Sequence, residues 1–393
     1  MLDTPTHALS SSPEPDDRRQ YGQMGRLCIL NGQTHERSQN HTDRVMRIQR
    51  IDRPKSIDER QIARFLSTGT NSVVLQFPGD SDYGPRLLEE LNSACRLFGA
   101  RLNVRFYGHY SSKFDCGWLR YLPDVRSLNL DCLTSVSNAH EIDRLEHLEE
   151  FGFGVFESEL PDLLRFSSLL GIRRLILAES RKNNIDLAPL AQYERLQVLF
   201  LNSHTRNIEA LGRLNGIKKL LLGSMPKKQS LNFVGAMSGL LSLTLILGGR
   251  ESLHPLAHPG VRHLEVLRVR GFTNIDLSLF PQLEKLSIED QLHFKCLELE
   301  ATTLLRWLSI WNCKNFRELC GLSGANHLEY LFVGKTSINP EVVLGNAPKS
   351  LKDLAITGYA KRKADELKTR IESLGYSLAT YNREPPGLSG TPE

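Results

Sequence analysis

An apolar phrase of the form L-x-x-L-x-L, in which Ile, Val or Phe can replace Leu, recurs along about two thirds of this chain. It occurs eleven times, in steps of 19 to 24 residues. The copies begin at Val125, Leu148, Ile172, Leu196, Ile217, Leu240, Leu264, Leu283, Leu305, Leu328 and Leu351. The last two apolar residues of each phrase lie two positions apart, which predicts a short strand with one buried face. A fixed period of this length predicts a stacked solenoid, whose units bury their apolar edges against one another.

A second spacing precedes the phrases, because the upstream apolar residues fall at every third position. Leu187, Leu190 and Tyr193 lead into Leu196 in this way. A period of three fits 3₁₀ turns, in which the side chains of residues i and i+3 eclipse. Each unit is therefore predicted to hold a strand and a return path of 3₁₀ turns, since it is too short for a full helix.

The phrase resembles the signature of leucine-rich repeat proteins, and the resemblance covers roughly residues 118–358. The unit is similar to that of internalins and of the phosphatase-regulator class. The resemblance implies an α/β fold: a solenoid with a parallel sheet on its concave face and a 3₁₀ or irregular convex side. The family usually places Asn or Cys three residues after the last apolar position. Only Cys313 fits here, so the Asn ladder is mostly missing, and the spacing is least regular between Leu264 and Leu283.

The residues before the repeats predict a β-α-β unit. The apolar residues of 57–66 recur at helical spacing, and 72–77 and 102–106 have the composition of strands. Pro85 is placed to begin a helix that stops at Gly99. Because a solenoid needs its first apolar edge covered, the unit is predicted to act as an N-terminal cap.

After the repeats, a charged helix is predicted over residues 360–375, with Leu367, Ile371 and Leu374 on one face. By the same reasoning it should cap the other end. The expected segments are a disordered N-terminus over 1–45, an N-terminal α/β cap over 46–117, repeats over 118–358, a C-terminal cap over 359–380 and a disordered tail over 381–393.

The composition, with 24% charged and 40% hydrophobic residues, is ordinary for a soluble protein. No apolar run reaches the length of a membrane span, and the polar first residues lack the apolar region of a secretory signal. Seven scattered cysteines without a C-x-x-C motif suggest reduced thiols. A cytoplasmic, intracellular location is therefore expected.

The net charge of +4 comes from residues 37–64, which carry eight Lys or Arg against four acidic residues. Such a segment could contact nucleic acid or anionic lipid. However, only Phe65, just beyond its end, could stack on a base. A flexible, solvated lead-in is favoured, and no nucleic-acid partner is expected.

Two patterns invite a ligand-binding interpretation, and both are weak. The Gly-Lys-Thr sequence at 334–336 follows a predicted strand, but a phosphate loop needs a glycine where Glu329 stands. Three histidines lie in a Pro-rich loop whose spacing offers zinc little convergence, so a solvated loop is favoured. They are His254, His258 and His263.

Cys116 and Cys313 are the cysteines considered as nucleophiles. Leucine-rich repeat ubiquitin ligases of bacterial effectors carry a separate catalytic domain with a Cys-x-Asp motif, and no cysteine here is followed by Asp at that distance. Cys313 is better explained as the turn residue of its repeat. No acid–base or nucleophile constellation is present, so the protein is predicted not to be an enzyme and to use no cofactor or metal.

The strand positions between the leucines are predicted to form the concave face. Repeats 3 to 6 place Ile176, Val198, Phe200, Leu221 and Ile246 there, and repeats 9 and 10 place Trp307, Trp311, Tyr330 and Phe332. Between them lie Val266, Arg268, Arg270, Lys285, Ser287 and Glu289. Sheet positions that face water are normally polar, so the aromatic residues form an unusual apolar patch, which favours binding over mere stiffening of the sheet.

The predicted function is that of a non-catalytic scaffold that binds a protein partner on the concave face. Aromatic residues and arginines dominate the energetics of protein interfaces. The predicted contact residues are Phe200, Arg268, Arg270, Trp307, Trp311, Tyr330 and Phe332. The alternative is an adaptor or effector subunit that brings an enzyme, such as a phosphatase or ubiquitin ligase, to a client. The partner's identity and the oligomeric state stay open.

Overall fold

The repeats fold into short strands that pair side by side in one parallel sheet. The computed structural model describes residues 48–158, 160–178, 180, 185–300 and 304–381. The strands, numbered along the chain, are β1 Ile48–Asp52, β2 Ser72–Pro78, β3 Leu102–Tyr107, β4 Phe114–Asp115, β5 Ser127–Leu133, β6 Val136–Ser137, β7 Glu150–Val155, β8 Arg174–Leu177, β9 Val198–Asn202, β10 Lys219–Gly223, β11 Ser242–Ile246, β12 His263–Leu267, β13 Lys285–Glu289, β14 Cys296–Glu298, β15 Trp307–Trp311, β16 Glu318–Cys320, β17 Tyr330–Gly334, β18 Asp353–Thr357 and β19 Ser377–Leu378.

Fifteen of these strands form the main sheet, in the order β1-β2-β3-β5-β7-β8-β9-β10-β11-β12-β13-β15-β17-β18-β19. Every neighbouring pair for which the register is defined is parallel. Within the described residues, two small parallel pairs lie apart from it, β4 with β6 and β14 with β16. The main sheet confirms the predicted fold class.

Helices are short and lie between the strands. The α-helices are α1 Glu59–Ser67, α2 Pro85–Phe98, α3 Asn232–Gly235, α4 Pro340–Gly345 and α5 Lys361–Ser373. The 3₁₀ segments are Gly99–Arg101, Cys116–Tyr121, Ala139–Arg144, Leu163–Arg165, Ser167–Leu169, Ala188–Gln192, Ile208–Arg213, Leu277–Leu279 and Leu322–Gly324. The predicted 3₁₀ return path is thus present in several units. No described helix combines the length and hydrophobicity that a bilayer crossing requires.

One continuous core runs between the sheet and the return path. The leucine positions of the repeats are buried along it, as at Leu199, Leu220 and Leu286, which are all 0% exposed. Burial of such a side chain contributes roughly 1.5–3 kcal/mol, so the stacked leucines supply most of the driving force for assembly.

The register confirms every predicted repeat except the seventh. There, Leu264 pairs with Leu243 and Leu286, and Val266 pairs with Leu245 and Ile288. The phrase is therefore Val261-x-x-Leu264-x-Val266, three residues earlier than predicted. With this correction the steps on either side become 21 and 22 residues, and the irregular spacing disappears.

The predicted β-α-β elements are present, and their strands continue the main sheet. In β3, Val104 pairs with Leu75 on one side and Leu128 of the first repeat on the other. The sequence did not predict β1, which pairs with β2 and shows that part of the basic segment is a strand rather than a flexible lead-in. The disordered segment predicted for 1–45 lies outside the described residues. The role of these elements as a cap stays a proposal.

The helix predicted after the repeats is α5. Its Leu367 and Ile371 are buried, but Leu374 is 52% exposed and does not share the apolar face. The chain then adds β19 to the sheet, where Leu378 pairs with Leu354. The remainder of the predicted tail, beyond Tyr381, lies outside the described residues.

The strands end at a recurrent left-handed residue. Non-glycine residues with φ between 51° and 64° stand seven positions after the start of eight phrases: Cys132, Ser203, Ser224, Leu247, Arg268, Asp290, Asn312 and Lys335. From Ser203 onward, each donates its backbone N–H to a carbonyl of the next strand. The strain of the left-handed conformation is offset by a hydrogen bond that fixes where the chain leaves the sheet.

Other side chains supply the bonds of the missing Asn ladder. The ladder position is the one three residues after the last apolar residue of each phrase. There, His204 Nε2 lies 2.8 Å from the carbonyl oxygen of Ala178, and Gln291 Nε2 donates to the carbonyl of Val266 at 3.3 Å. Cys313 Sγ lies 3.8 Å from the carbonyl oxygen of Ile288. The position is therefore still used to tie successive turns together, although its residue type varies.

Phenylalanines stack on the core side of three successive turns. Phe294 lies between Phe272 and Phe316, with ring centroids 6.0 Å and 5.5 Å away and interplanar angles of 24° and 5°. All three side chains are at most 1% exposed. Their 22-residue spacing shows that they occupy one repeat position.

Gly239 allows the close approach of two turns and gives a stability prediction. A Cβ at this position would lie 2.0 Å from the carbonyl oxygen of Asn215. Gly239→Ala should therefore destabilise the fold by about 1–3 kcal/mol, because neighbouring backbone must shift. A Cβ at Gly171, which occupies the same repeat position, would meet no neighbouring group within 4 Å, so Gly171→Ala serves as the control. Equal unfolding free energies of the two variants in urea would contradict the prediction.

Candidate interaction surface

The face of the sheet opposite the leucine core, called here the outer sheet face, is formed by the side chains that alternate with the leucines. Its character changes along the molecule. Polar side chains dominate from β1 to β7. Charged, aliphatic and hydroxyl side chains, together with Phe200, occupy β8 to β13, and aromatic side chains dominate on β15 and β17. The three regions differ in accessibility, which decides what each can do.

The aromatic region is the patch predicted from sequence. Trp307 and Tyr330 stack with ring centroids 4.8 Å apart and an interplanar angle of 10°. Trp307, Tyr330 and Phe332 are only 3–4% exposed and form a cluster with Ala355. The sequence therefore placed these residues together correctly, but they are buried rather than exposed to solvent.

Part of this cover comes from residues 379–381, called here the crossing segment, which leaves β19 and runs over the outer sheet face. The Tyr381 ring lies 5.0 Å from that of Trp311 and 5.6 Å from that of Phe332. The Tyr330 hydroxyl donates to the carbonyl of Thr380, and the Tyr381 hydroxyl donates to the carboxylate of Glu289. Tyr381 was predicted to belong to a disordered tail, and that prediction is wrong for this residue.

Burial governs the electrostatics of this contact. It raises the pKa of the Glu289 carboxyl above its ordinary value, against the opposing effect of the Tyr381 hydrogen bond. Burial and the bond to Glu289 raise the pKa of the Tyr381 hydroxyl. The hydroxyl is thus a neutral donor, as the hydrogen bond requires.

The middle region is a mixed surface centred on β12. Lys285 Nζ lies 3.6 Å from a Glu265 oxygen, and the Thr244 hydroxyl donates to Glu265 at 3.2 Å. Burial, and then the charge of Lys285, lower the pKa of His263 to about 4. Lys219 is exposed on β10, two strands away. The corrected register brings His263 and Glu265 to this face, whereas the sequence pattern had not included them.

Three aliphatic side chains lie among these charges. Val198, Leu221 and Leu267 are half-buried and so still present part of their surface to solvent. Phe200, a predicted contact residue, is 8% exposed and contributes little accessible area.

The polar region is a closed hydrogen-bond network that sequence reasoning missed. Arg105 binds Asp131 with two bonds of 2.8 Å and 3.0 Å and donates to Gln76 at 3.2 Å. Gln76 and the Tyr107 hydroxyl both donate to Asp52 at 3.2 Å. Because these groups satisfy one another, the network stabilises the sheet rather than offering free donors.

Two predicted contact residues lie outside the face. Arg268 and Arg270 follow the end of β12. Arg268 is one of the left-handed residues at the strand ends, and its Nε donates to a carboxylate oxygen of Asp290 at 2.7 Å. Val266 belongs to the core and is 0% exposed. All three placements were wrong for one reason, since the sequence assigned the seventh phrase three residues too late.

The side chains considered for catalysis or metal binding are held in structural roles. Burial raises the pKa of the Cys116 and Cys313 thiols to about 12, which disfavours the reactive thiolate. His258 is 1% exposed, and its Nδ1 accepts bonds from the N–H groups of Gly260 and Val261. It is therefore a core residue rather than part of a solvated loop.

Across the described residues, no three or more His, Cys, Asp or Glu side chains are placed to hold a metal ion. Cys132 is disulfide-bonded, so the prediction of reduced thiols is wrong at this position. Free thiols are found at Cys95, Cys116, Cys296, Cys313 and Cys320.

A scan against models of known protein families finds no match, and no curated protein matches this chain in sequence. Solved structures do match. A chain of the Toll–Spätzle complex of Drosophila is 16% identical with a TM-score of 0.51, over 79% of this chain and 43% of that chain. An internalin from Listeria monocytogenes is 20% identical with a TM-score of 0.45, over 61% of this chain and 69% of its own.

A leucine-rich repeat protein of Leptospira interrogans also matches, at 13% identity and a TM-score of 0.39, over 84% of this chain and 93% of its own. This chain spans less than half of the matched chain in the Toll complex. The 15-stranded parallel sheet, the repeat register and the likeness to the Toll-complex chain show that the protein has a leucine-rich repeat fold.

Proposed function

We propose that the protein is a non-catalytic scaffold that binds a protein partner on the middle of its outer sheet face. The observation that carries the proposal is the accessible mixture of Val198, Leu221 and Leu267 with the charges of Lys219 and Glu265. Apolar side chains supply affinity when a partner covers them, and interspersed charges select the partner and its orientation.

The dimensions of the sheet support this proposal. Fifteen parallel strands spaced ~4.8 Å apart extend over roughly 65 Å, which is ample for a standard interface of ~800 Å² per partner. Each inner strand is hydrogen-bonded to a neighbouring strand on both sides. The face is therefore rigid, and its side chains are already positioned for binding.

The test compares two variants that carry matched changes. Lys219→Glu with Leu221→Lys alters the middle of the outer sheet face, and Lys314→Glu with Leu292→Lys makes the same exchanges outside the main sheet. Proteins captured from cell lysate by the wild type and by the second variant, but not by the first, would be candidate partners. The purified partner should then bind the first variant at least 10-fold more weakly, by calorimetry, and the second as well as the wild type.

Unchanged affinity for the first variant would contradict binding at this face. A role in bringing an enzyme to its client makes a different demand, namely that a second partner docks elsewhere. Deletion of residues 1–47 tests it without removing β1. Loss of an associated enzyme activity, with partner binding retained, would favour the adaptor alternative.

A further inference from the structure

The crossing segment contacts the aromatic region through a side chain and through its backbone, as a bound peptide contacts its binding site. Its one large side chain, Tyr381, packs against Trp311 and Phe332. Its backbone is recognised as well, because the Tyr330 hydroxyl donates to the carbonyl of Thr380. The Thr380 side chain, by contrast, is exposed to solvent.

We infer that the aromatic end of the outer sheet face is a binding site for an extended, tyrosine-bearing peptide segment of a partner, and that the crossing segment occupies this site as an internal competitor. The inference rests on the proposed function, because it adds a second contact to the same face. It assigns the aromatic residues the role of an anchor pocket that is closed until the crossing segment leaves.

The chemistry of the site selects tyrosine. Trp311, Phe332 and the stacked pair Trp307 and Tyr330 on the same face form an apolar surface that suits an aromatic ring. At its margin stands the carboxylate of Glu289, which is half-buried and bonded to the Tyr381 hydroxyl. A phenylalanine would fill the same space but leave this carboxylate without its donor, which is costly for a desolvated charge.

The attachment of the crossing segment is suited to exchange. Ala379 donates its backbone N–H to the carbonyl of Leu354 in β18 at 3.2 Å. Beyond Ala379, the segment is joined to the face by ring contacts and two hydrogen bonds, and Thr380 is exposed. β19 itself pairs with β18 independently of these contacts. An incoming segment can therefore replace Thr380 and Tyr381 while Ala379 keeps its bond to β18.

The test is a competition between the crossing segment and a peptide that copies it. A fluorescent peptide with the sequence of residues 379–386 is titrated against the full-length wild type, Tyr381→Ala and the control Thr380→Ala, and binding is followed by anisotropy. The peptide should bind Tyr381→Ala at least 10-fold more tightly than the wild type, because its competitor is weakened. Thr380→Ala should behave as the wild type.

Specificity is tested with the same peptide carrying Tyr381→Phe. It should bind the Tyr381→Ala protein at least 10-fold more weakly than the tyrosine peptide. In the conservative single variant Glu289→Gln, which keeps Tyr381, the preference for the tyrosine peptide over the phenylalanine peptide should fall to less than 3-fold. This comparison provides a readout even if Tyr381→Ala perturbs the fold.

Equal affinity of the tyrosine peptide for all three proteins, equal affinity of the Tyr and Phe peptides, or no binding at all would each overturn the inference. The proposed function is judged separately, since its test variant changes β10, its control variant changes residues outside the main sheet, and both leave the aromatic region intact. If the peptide does not bind as expected but the β10 variant still weakens partner binding, the anchor pocket alone is rejected.

Discussion

Phe294→Ala is expected to lower the free energy of unfolding by about 3–5 kcal/mol, which is the usual cost of removing a buried phenylalanine. Phe294 is fully buried between two stacked rings, with centroids 5.5 Å and 6.0 Å away. The cavity would lie where three turns meet, and the flanking rings are held by their own turns. The site therefore has little freedom to collapse around the smaller side chain.

Leu292→Ala is the control for this change, because Leu292 precedes Phe294 by two residues and is 60% exposed. It should cost less than about 0.5 kcal/mol. Both variants are to be compared with the wild type by urea unfolding followed by circular dichroism. A loss below about 1 kcal/mol for Phe294→Ala would mean that the stack is not a principal source of stability.

Acidification from pH 7 to pH 4 is expected to destabilise the protein through His263 by up to about 3 kcal/mol. Burial and the neighbouring Lys285 lower the pKa of His263 from its ordinary 6.5 to about 4. Between these two values the unfolded chain binds a proton that the folded chain does not. Stability is therefore lost as the pH falls from about 6.5 towards 4, and the loss is complete below the folded value.

His263→Gln isolates this contribution, because the carboxylates that also titrate in this range are common to both proteins. The difference in unfolding free energy between wild type and variant should shift by about 3 kcal/mol between pH 7 and pH 4, in favour of the variant. The exposed His327 provides the control, and His327→Gln should follow the wild type. Parallel stability curves for the wild type and His263→Gln would show that His263 titrates normally in the folded protein.

The leucine pattern was sufficient to predict the fold because burial fixes strand register. Its single error arose where two overlapping phrases satisfy the same pattern, Val261-Leu264-Val266 and Leu264-Leu267-Val269. Both phrases are equally apolar, so hydrophobicity cannot choose between them. The uneven steps of 24 and 19 residues were the available signal, and an even division between the neighbouring phrases gives the observed register.

The candidate site was less accessible to sequence reasoning. The clustering of Trp307, Tyr330 and Phe332 follows from repeat geometry and could be predicted. Their cover could not, because Tyr381 lies in a polar segment with no periodicity and reaches Trp311 only through the path of β19. Likewise, the pairing of Arg105 with Asp131 joins a strand outside the repeats to the first repeat strand, and no local pattern signals it.

The crossing segment also changes how the molecule is expected to unfold. Bonds between successive turns join residues about one repeat apart, as with the 22 residues between Arg268 and Asp290, whereas Tyr381 reaches Glu289 across 92 residues. Solenoids held together only by neighbour contacts can lose turns one at a time from their ends. A bond that spans β13 to β19 makes the last turns depend on one another, so they form a single cooperative unit with a common opening free energy. Release of the crossing segment would divide that unit, and hydrogen exchange at this end would become graded from turn to turn.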